Sequence, residues 1–414
     1  MPSTESPRPP PPPWLFGITN LSFGISGGYT SVAMPFILRQ AGVPVGTIAA
    51  ASAAVLIPMS YQFLWAPVLD VGLRRRAWLV LFAALSALLL GLSLFLDLPS
   101  QLLPFEICCV LGQGCAGLVS SCNGALVATT VPGAWHGRAS GWLNAANLGG
   151  NAIGGGLVLG VTRYFGAHAA GLMLAILCLL PTLAVVSVRE RPRLRRRPAE
   201  VFGGMLRDVW HTASSRRGWT GILFCLAPVS TPALLDLFSA IGEDFHAPAH
   251  TVELSMGYGS GLVTAFGALL GGRLLDRAHR RTAYLLSGLL VAVVDLAMAY
   301  APLTPQAYVA GTLCYSLVAG LCYAAFTAVV FEIIDGADRS AAVQYTLFDA
   351  AGNLATSYLA WLDGLGYDYY KSRHLSGPAG MLLTDAGMNV AGACALGLLM
   401  LALFSRGHRQ RQAA

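Results

Sequence analysis

The sequence predicts an all-α membrane protein with twelve transmembrane helices arranged as two six-helix, pseudo-symmetric halves. Three observations predict it. Hydrophobic residues make up 55% of the 414-residue chain and charged residues only 11%, with a mean hydropathy of +0.61, whereas about a quarter of a soluble domain is charged. Apolar windows long enough to cross about 30 Å of hydrocarbon, roughly 20 residues each, recur twelve times. Landmarks then repeat at one offset. Asp276, in Gly272-Arg273-Leu274-Leu275-Asp276-Arg277-Ala278-His279-Arg280-Arg281, stands 206 positions (276 − 70) after Asp70, in Ala66-Pro67-Val68-Leu69-Asp70-Val71-Gly72-Leu73-Arg74-Arg75-Arg76. Asn147 pairs with Asn353 and Pro99 with Pro305 at the same spacing, so one plan is used twice.

Residues 1–13 hold too many prolines for a helix and no apolar core ending in a cleavage site. They are predicted to be a disordered arm and not a signal peptide. Windows near 14–38, 45–66, 77–97, 103–131, 139–162 and 167–188 make the first half, 14–188. Residues 189–218 form a cytoplasmic linker: the arginines from Arg189 to Arg197 suit anionic headgroups, and Phe202, Leu206, Val209 and Trp210 share a helical face suited to the interface. A solvated tether accounts for the same residues. Windows near 219–241, 251–275, 282–301, 305–333, 340–361 and 384–404 make the second half, 219–404, and 405–414 is a cytoplasmic tail.

Orientation follows from the basic residues. With the N-terminus inside, 22 of the 26 fall on the cytoplasmic side, leaving Arg39, Arg163, Lys371 and Arg373 outside. Both termini are therefore expected on the cytoplasmic side. The formal charge of +6 follows from this topology and calls for no nucleic-acid partner.

The nine cysteines sit inside predicted spans without CxxC or His/Cys metal spacing, as apolar fillers do, so no metal site and no cofactor is expected. Lys371 is the single lysine, which excludes a phosphate-binding Walker A loop. Gly24-Ile25-Ser26-Gly27-Gly28 and Gly112-Gln113-Gly114-Cys115-Ala116-Gly117 match GxSxG and GxGxxG, but inside apolar spans they read as close-packing glycines. An enzyme is not indicated.

Polar residues within the spans are the candidates for binding. Asn144, Asn147 and Asn151 recur along one face of the fifth helix, with Gly150 and Gly154 allowing a neighbour close. Amides facing lipid are costly, so the row faces protein or a wet cavity; bridging two helices is the plainer alternative. In the eleventh span Tyr345, Asp349 and Asn353 share a face, with Gln344 beside them. An ionisable group at membrane depth is functional by default, which makes Asp349 the leading proton or substrate site and Asp295 the second, with Asp236 nearer the outside. Tyr29, Tyr61, Gln62, Asn123 and Tyr315 suit a bulky, polar, weakly charged organic molecule, although single aromatics more often pack than bind. No Lys or Arg is expected mid-span, which disfavours a densely anionic cargo.

A carboxylate at the cytoplasmic end of one helix can cap a helix N-terminus of the other half. On this reading Asp70 works with Arg339, and Asp276 with Arg138, as a cytoplasmic gate flanked by Arg74, Arg75, Arg76, Arg277, Arg280 and Arg281. Positive-inside bias alone also explains the arginines.

Phe63-Leu64-Trp65-Ala66-Pro67-Val68-Leu69-Asp70 followed by Arg74-Arg75-Arg76, with Gly141-Trp142-Leu143-Asn144 and Asn147-Leu148-Gly149-Gly150, resembles the AmpG-like branch of the major facilitator superfamily. Trp361-Leu362-Asp363-Gly364, Gly377-Pro378-Ala379-Gly380-Met381-Leu382 and the compact length are similar to the single-subunit siderophore permeases of the RhtX/FptX type. The resemblance implies the major facilitator fold and a monomeric secondary transporter. It further implies alternating-access import of a ferric siderophore such as ferripyochelin, with protons as the coupled partner. A muropeptide permease acting in cell-wall recycling, and so in β-lactamase induction, is the rival within the branch. A non-transporting receptor signalling through the basic linker is the rival from another class.

Overall fold

The computed structural model describes residues 10–43, 45–65, 68–69, 72–188, 190, 204, 210, 214–277, 279–334 and 341–412. Asp70, Arg339, most of the 189–218 linker, the start of the proline-rich arm and the side chain of Asp236 lie outside this description.

Every membrane pass among the described residues is helical. Eight segments are long and apolar enough to cross a bilayer on length and composition alone: α1 (Pro13–Gln40), α3 (Arg75–Ser93), α4 (Leu102–Thr130), α6 (Ala167–Ser187), α8 (His250–Leu275), α9 (Arg280–Ala299), α10 (Pro305–Ile334) and the Gly377–Met400 part of α12. With α2 (Val45–Ser60), α5 (His136–Phe165), α7 (Arg216–Leu226) and α11 (Ala341–Ser372) they make the twelve expected helices, and α12 continues to Gln412. This is the twelve-helix, all-α arrangement that the sequence predicts.

Local chemistry sets the helix ends. Pro13 opens α1 at a position where its missing N–H is no loss. Ser215 Oγ accepts from Gly218 N–H at 2.9 Å at the start of α7, and Thr304 Oγ1 accepts from Ala307 N–H at 3.3 Å at the start of α10. Gly166, at φ +86°, ends α5 in a backbone conformation that few other residues adopt.

The chain divides into two compact units, residues 1–211 with 334–347 and residues 212–333 with 348–414. In the first, Tyr29, Leu90, Phe105, Cys109, Leu174 and Cys178 form an apolar core between α1, α3, α4 and α6. Contact between α1 and α5 is main chain on main chain. A Cβ on Gly28 would strike the Asn151 carbonyl and one on Gly154 the Ile25 carbonyl, while one on Gly150 would stand 3.0 Å from the Gly24 Cα. The expectation for Gly150 and Gly154 is met, and Gly24 and Gly28 of the GxSxG match supply the other side of the joint. In the second unit Leu234, Phe238, Val291, Tyr308, Tyr315 and Met381 form one core cluster and Phe224, Tyr284, Ala325 and Leu396 another.

Gly154→Ala should lower the unfolding midpoint of the detergent-solubilised protein by several degrees, since overpacking a tight contact costs about 1–3 kcal/mol. Gly160→Ala, where an added Cβ meets nothing within 4 Å, should leave the midpoint unchanged or higher. Thermal exposure of the buried thiols Cys109, Cys122 and Cys178 to a thiol-reactive dye reads both.

Candidate functional site

In the first unit the asparagine row lies on α5, whose path is fixed by the glycine joint. Asn144 Nδ2 donates to the Ser140 carbonyl of its own helix at 3.0 Å, and Asn151 Oδ1 accepts from Ser31 Oγ at 3.3 Å. Asn144, Asn147 and Asn151 are all half-buried. Other amides bridge helices: Asn20 Nδ2 donates to the Leu143 carbonyl at 3.0 Å, Asn123 Nδ2 to Asn20 Oδ1 at 3.3 Å, and Thr19 Oγ1 to Asn123 Oδ1 at 2.7 Å. Gln62 Nε2 donates to the Gly117 carbonyl and Ser121 Oγ, and the buried Tyr29 hydroxyl lies 2.6 Å from Ser93 Oγ. Tyr29, Gln62 and Asn123 thus have polar atoms engaged inside the bundle, as buried groups must. Tyr61 is exposed, Gln344 and Tyr345 are half-buried, and the Tyr345 ring lies against α4, 2.7 Å from where a Cβ on Gly124 would stand.

The arginines expected at the gate divide by geometry. Arg75, buried at the start of α3, donates from Nη1 to the Ala125 carbonyl at 3.2 Å and to Thr129 Oγ1 at 3.4 Å on α4. Arg281, 206 positions later, starts α9, pairs with Glu332 of α10 at 3.0 Å and lies over the Phe224 ring at 6.0 Å. Each ties the third helix of its half to the far end of the fourth, where a helix carbonyl end favours a cation. Arg76 Nη1 reaches the Val188 carbonyl at 3.5 Å, and Arg138 lies 5.1 Å over Trp135. Arg74 and Arg277 are exposed, and Asp276 and Arg280 are half-buried.

The second unit departs from the expected plain span at 219–241. α7 stops at Leu226, and 3-10 turns at Ala233–Asp236 and Phe238–Ile241 follow an irregular stretch. Pro228 and Pro232, which cannot donate, break the ladder, and Ser230 adopts φ +55°. Neighbouring helices pin the break. Ser230 N–H donates to Asn389 Oδ1 at 3.0 Å, Ser230 Oγ lies 2.5 Å from both Ser287 Oγ and the Tyr284 carbonyl, and Tyr284 OH donates to the Val229 carbonyl at 2.9 Å. Tyr358 OH donates to the Leu226 carbonyl at 2.6 Å. Carbonyls freed by the break thus keep donors, the condition for irregular backbone at membrane depth. Asp349 is half-buried, close to Cys225 of α7, and Asn353 is exposed.

Beside this break lies a group of carboxyls. Asp295 of α9, Asp363 of α11 and Asp385 of α12 are each 0% exposed, as is Tyr315 of α10. Tyr315 OH donates to Asp385 Oδ2 at 3.3 Å and accepts from Leu234 N–H, in the first 3-10 turn after the break, at 3.3 Å. Asp385 is the neighbour of both Asp295 and Asp363. Both oxygens of Asp295, both of Asp363 and Oδ1 of Asp385 find no donor among the described residues. Among the described residues no Lys, Arg or His figures among the influences on the three acids. Leaving such oxygens ionised and unpaired costs several kcal/mol per group. Among the described residues no cluster has the make-up to hold a metal ion.

Sequence reasoning named Asp295 and Tyr315 but missed Asp363 and Asp385. The expected windows closed at 361 and opened at 384, whereas α11 runs on to Ser372 and α12 begins at Gly377. Apolar positions continuing at Leu359, Leu362 and Leu365 carry the helical period past the window edge and are the signal that reveals Asp363.

The Major Facilitator Superfamily sequence model matches residues 16–360. The structure is similar to the proton:xylose symporter XylE with a TM-score of 0.70 at 15% identity, over 92% of this chain and 94% of that one. It is similar to the human organic anion transporter MFSD10 with a TM-score of 0.70 at 16% identity, over 93% and 100%. A variant of the E. coli fucose:proton symporter FucP gives 0.65 at 13% identity, over 92% and 97%. At such identities the likeness establishes the fold.

Because Asp295 has no donor to lose, Asp295→Asn, which offers an N–H to Asp385, should unfold at or above the parent midpoint in a thermal scan. A fall of several degrees would mean that the carboxyl holds the bundle together.

Proposed function

The chain belongs to the major facilitator superfamily and is a multi-pass membrane transporter, not an enzyme, and we propose that it is a proton-coupled importer of a ferric siderophore. The observation that carries proton coupling is Asp295, fully buried, facing Asp385 and without a donor among the described residues. The siderophore is proposed from the resemblance of Trp361 to Gly364, of Gly377 to Leu382 and of the compact length to the siderophore permeases, and from the expectation of no Lys or Arg mid-span. Asn144, Asn147, Asn151, Gln344, Tyr345, Asn353 and Tyr61, which are half-buried or exposed, are the proposed cargo contacts. Tyr29, Gln62 and Asn123 hold the helices behind them. Asp349 is proposed to take up protons or cargo, and Asp236 to stand near the entrance. Asp70, Asp276, Arg138, Arg339 and the flanking arginines are proposed to close the cytoplasmic side. The proposed setting is a bacterial inner membrane, with the transporter acting as a monomer.

Proteoliposomes given ferripyochelin carrying labelled iron, and in parallel labelled anhydro-muropeptide, test this reading. Accumulation of the iron complex should rise with an acidic exterior and collapse with a protonophore. Asp349→Asn should lower proton-driven accumulation about tenfold and leave exchange of cargo across the membrane. Accumulation of muropeptide instead would overturn the cargo. Saturable binding with no exchange would overturn transport.

A further inference from the structure

We propose that Asp295, Asp363 and Asp385 form one shared-proton site, and that Tyr315 couples the loading of this site to the broken part of α7. The proposal rests on the proton-coupled reading and names its machinery. Three helices deliver the carboxyls and a fourth the phenol, all 0% exposed. Asp295 meets Asp385, Asp363 lies within electrostatic reach of both, Tyr315 bonds Asp385, and Cys322 of α10 is a further titratable neighbour among the described residues. The five oxygens of Asp295, Asp363 and Asp385 that find no donor among the described residues call for a ligand that supplies hydrogen bonds and positive charge without bulk. A proton fits, and among the described residues no group of side chains is arranged to hold a metal ion.

Three ionisable groups with no exposure are costly to keep at membrane depth, which marks the trio as serving something other than packing.

Tyr315 gives the trio its reach. Its hydroxyl donates to Asp385 and accepts from Leu234 N–H, so one oxygen joins the acids to the turn after the break. Phe238 of the next turn meets the Tyr315 ring edge-on at 4.9 Å, and Leu234 and Phe238 are buried in the same apolar cluster. A proton from water binds a carboxylate oxygen of the Asp295/Asp385 pair, and the new O–H donates to the facing carboxylate. The negative charge of the trio falls by one. Asp385 then no longer depends on the Tyr315 donor, the phenol is free to turn, and the Leu234 turn loses its anchor. Release of the proton restores the charge and the anchor.

The carboxyl reagent dicyclohexylcarbodiimide, which reacts with protonated carboxyls in apolar surroundings, tests this on the reconstituted full-length protein by peptide mass spectrometry. Asp295, Asp363 and Asp385 should be modified at neutral pH and about tenfold less one pH unit above their midpoint, with sodium at constant pH having no effect. Phe238→Ala, which removes the apolar cover, should speed the reaction. Tyr315→Phe should raise modification of Asp385 about tenfold at fixed pH, since a hydrogen bond to a charged group is worth about 1.5–3 kcal/mol, and should speed amide exchange at Leu234. Modification of Asp349 with none of the trio, in the parent and in Phe238→Ala alike, would overturn the proposal. So would pH-independent modification, or protection by sodium, which would mark a cation site. Proton-driven uptake with an unreactive trio would sink only this proposal; a reactive trio without proton-driven uptake of either cargo would sink the functional reading.

Discussion

Hydrocarbon supplies no hydrogen bonds, so every polar group inside the membrane must find a partner in the protein or give up its charge. The first unit obeys this with neutral pairs: Asn123 with Asn20 and Thr19, Tyr29 with Ser93, Gln62 with Gly117 and Ser121. In the second unit Ser230, Tyr284, Tyr358 and Asn389 meet the demands of a broken helix in the same way. Among the described residues of the second unit, Asp295, Asp363 and Asp385 are where carboxyl oxygens find too few donors. A proton is the one partner that a carboxyl can take from water and hand back, and the functional account is built on that deficit.

The two halves repeat a frame and differ in what fills it. Arg75 and Arg281 stand at matching positions and each fastens the start of a third helix to the end of a fourth. The first helix of each half is irregular at matching depth: α1 carries a π-helical turn at Tyr29–Ala33, and the corresponding stretch after α7 carries the 3-10 turn Ala233–Asp236. In the first half Tyr29 from that turn seals against Ser93 and lies near Cys109. In the second, Leu234 is tied through Tyr315 to an acid. One half thus closes this joint with a neutral hydroxyl pair and the other with a phenol bonded to an acid.

Much of this was legible in the sequence, for definite reasons. Hydropathy and the 206-residue offset report averages over whole helices, and these fixed the helix number and the paired plan. Gly150 and Gly154 were legible because a small residue recurring on one helical face has few other uses in a membrane. Asp295 was legible because it stands alone in an apolar run. Asp363 was hidden by Asp368 and Lys371, which lower the local hydropathy although α11 continues through them, and Asp385 by its position at a window edge. The break in α7 was hidden as well: Pro228 and Pro232 were visible, but only three-dimensional partners such as Asn389 and Tyr284 show that the chain there is held open. Tyr29, Gln62 and Asn123 carry the right chemistry for a pocket, and only the hydrogen-bond geometry shows their polar atoms turned to neighbouring helices.

The central claim is that protons reside on the trio while the protein is folded in its membrane. Infrared difference spectroscopy of the reconstituted protein between neutral and alkaline buffer measures this directly. The account predicts a protonated-carboxyl band that shifts in heavy water, disappears on raising the pH and is absent when Asp295, Asp363 and Asp385 are all replaced by Asn. A band unchanged in that triple variant, or no such band in the parent protein, would contradict it.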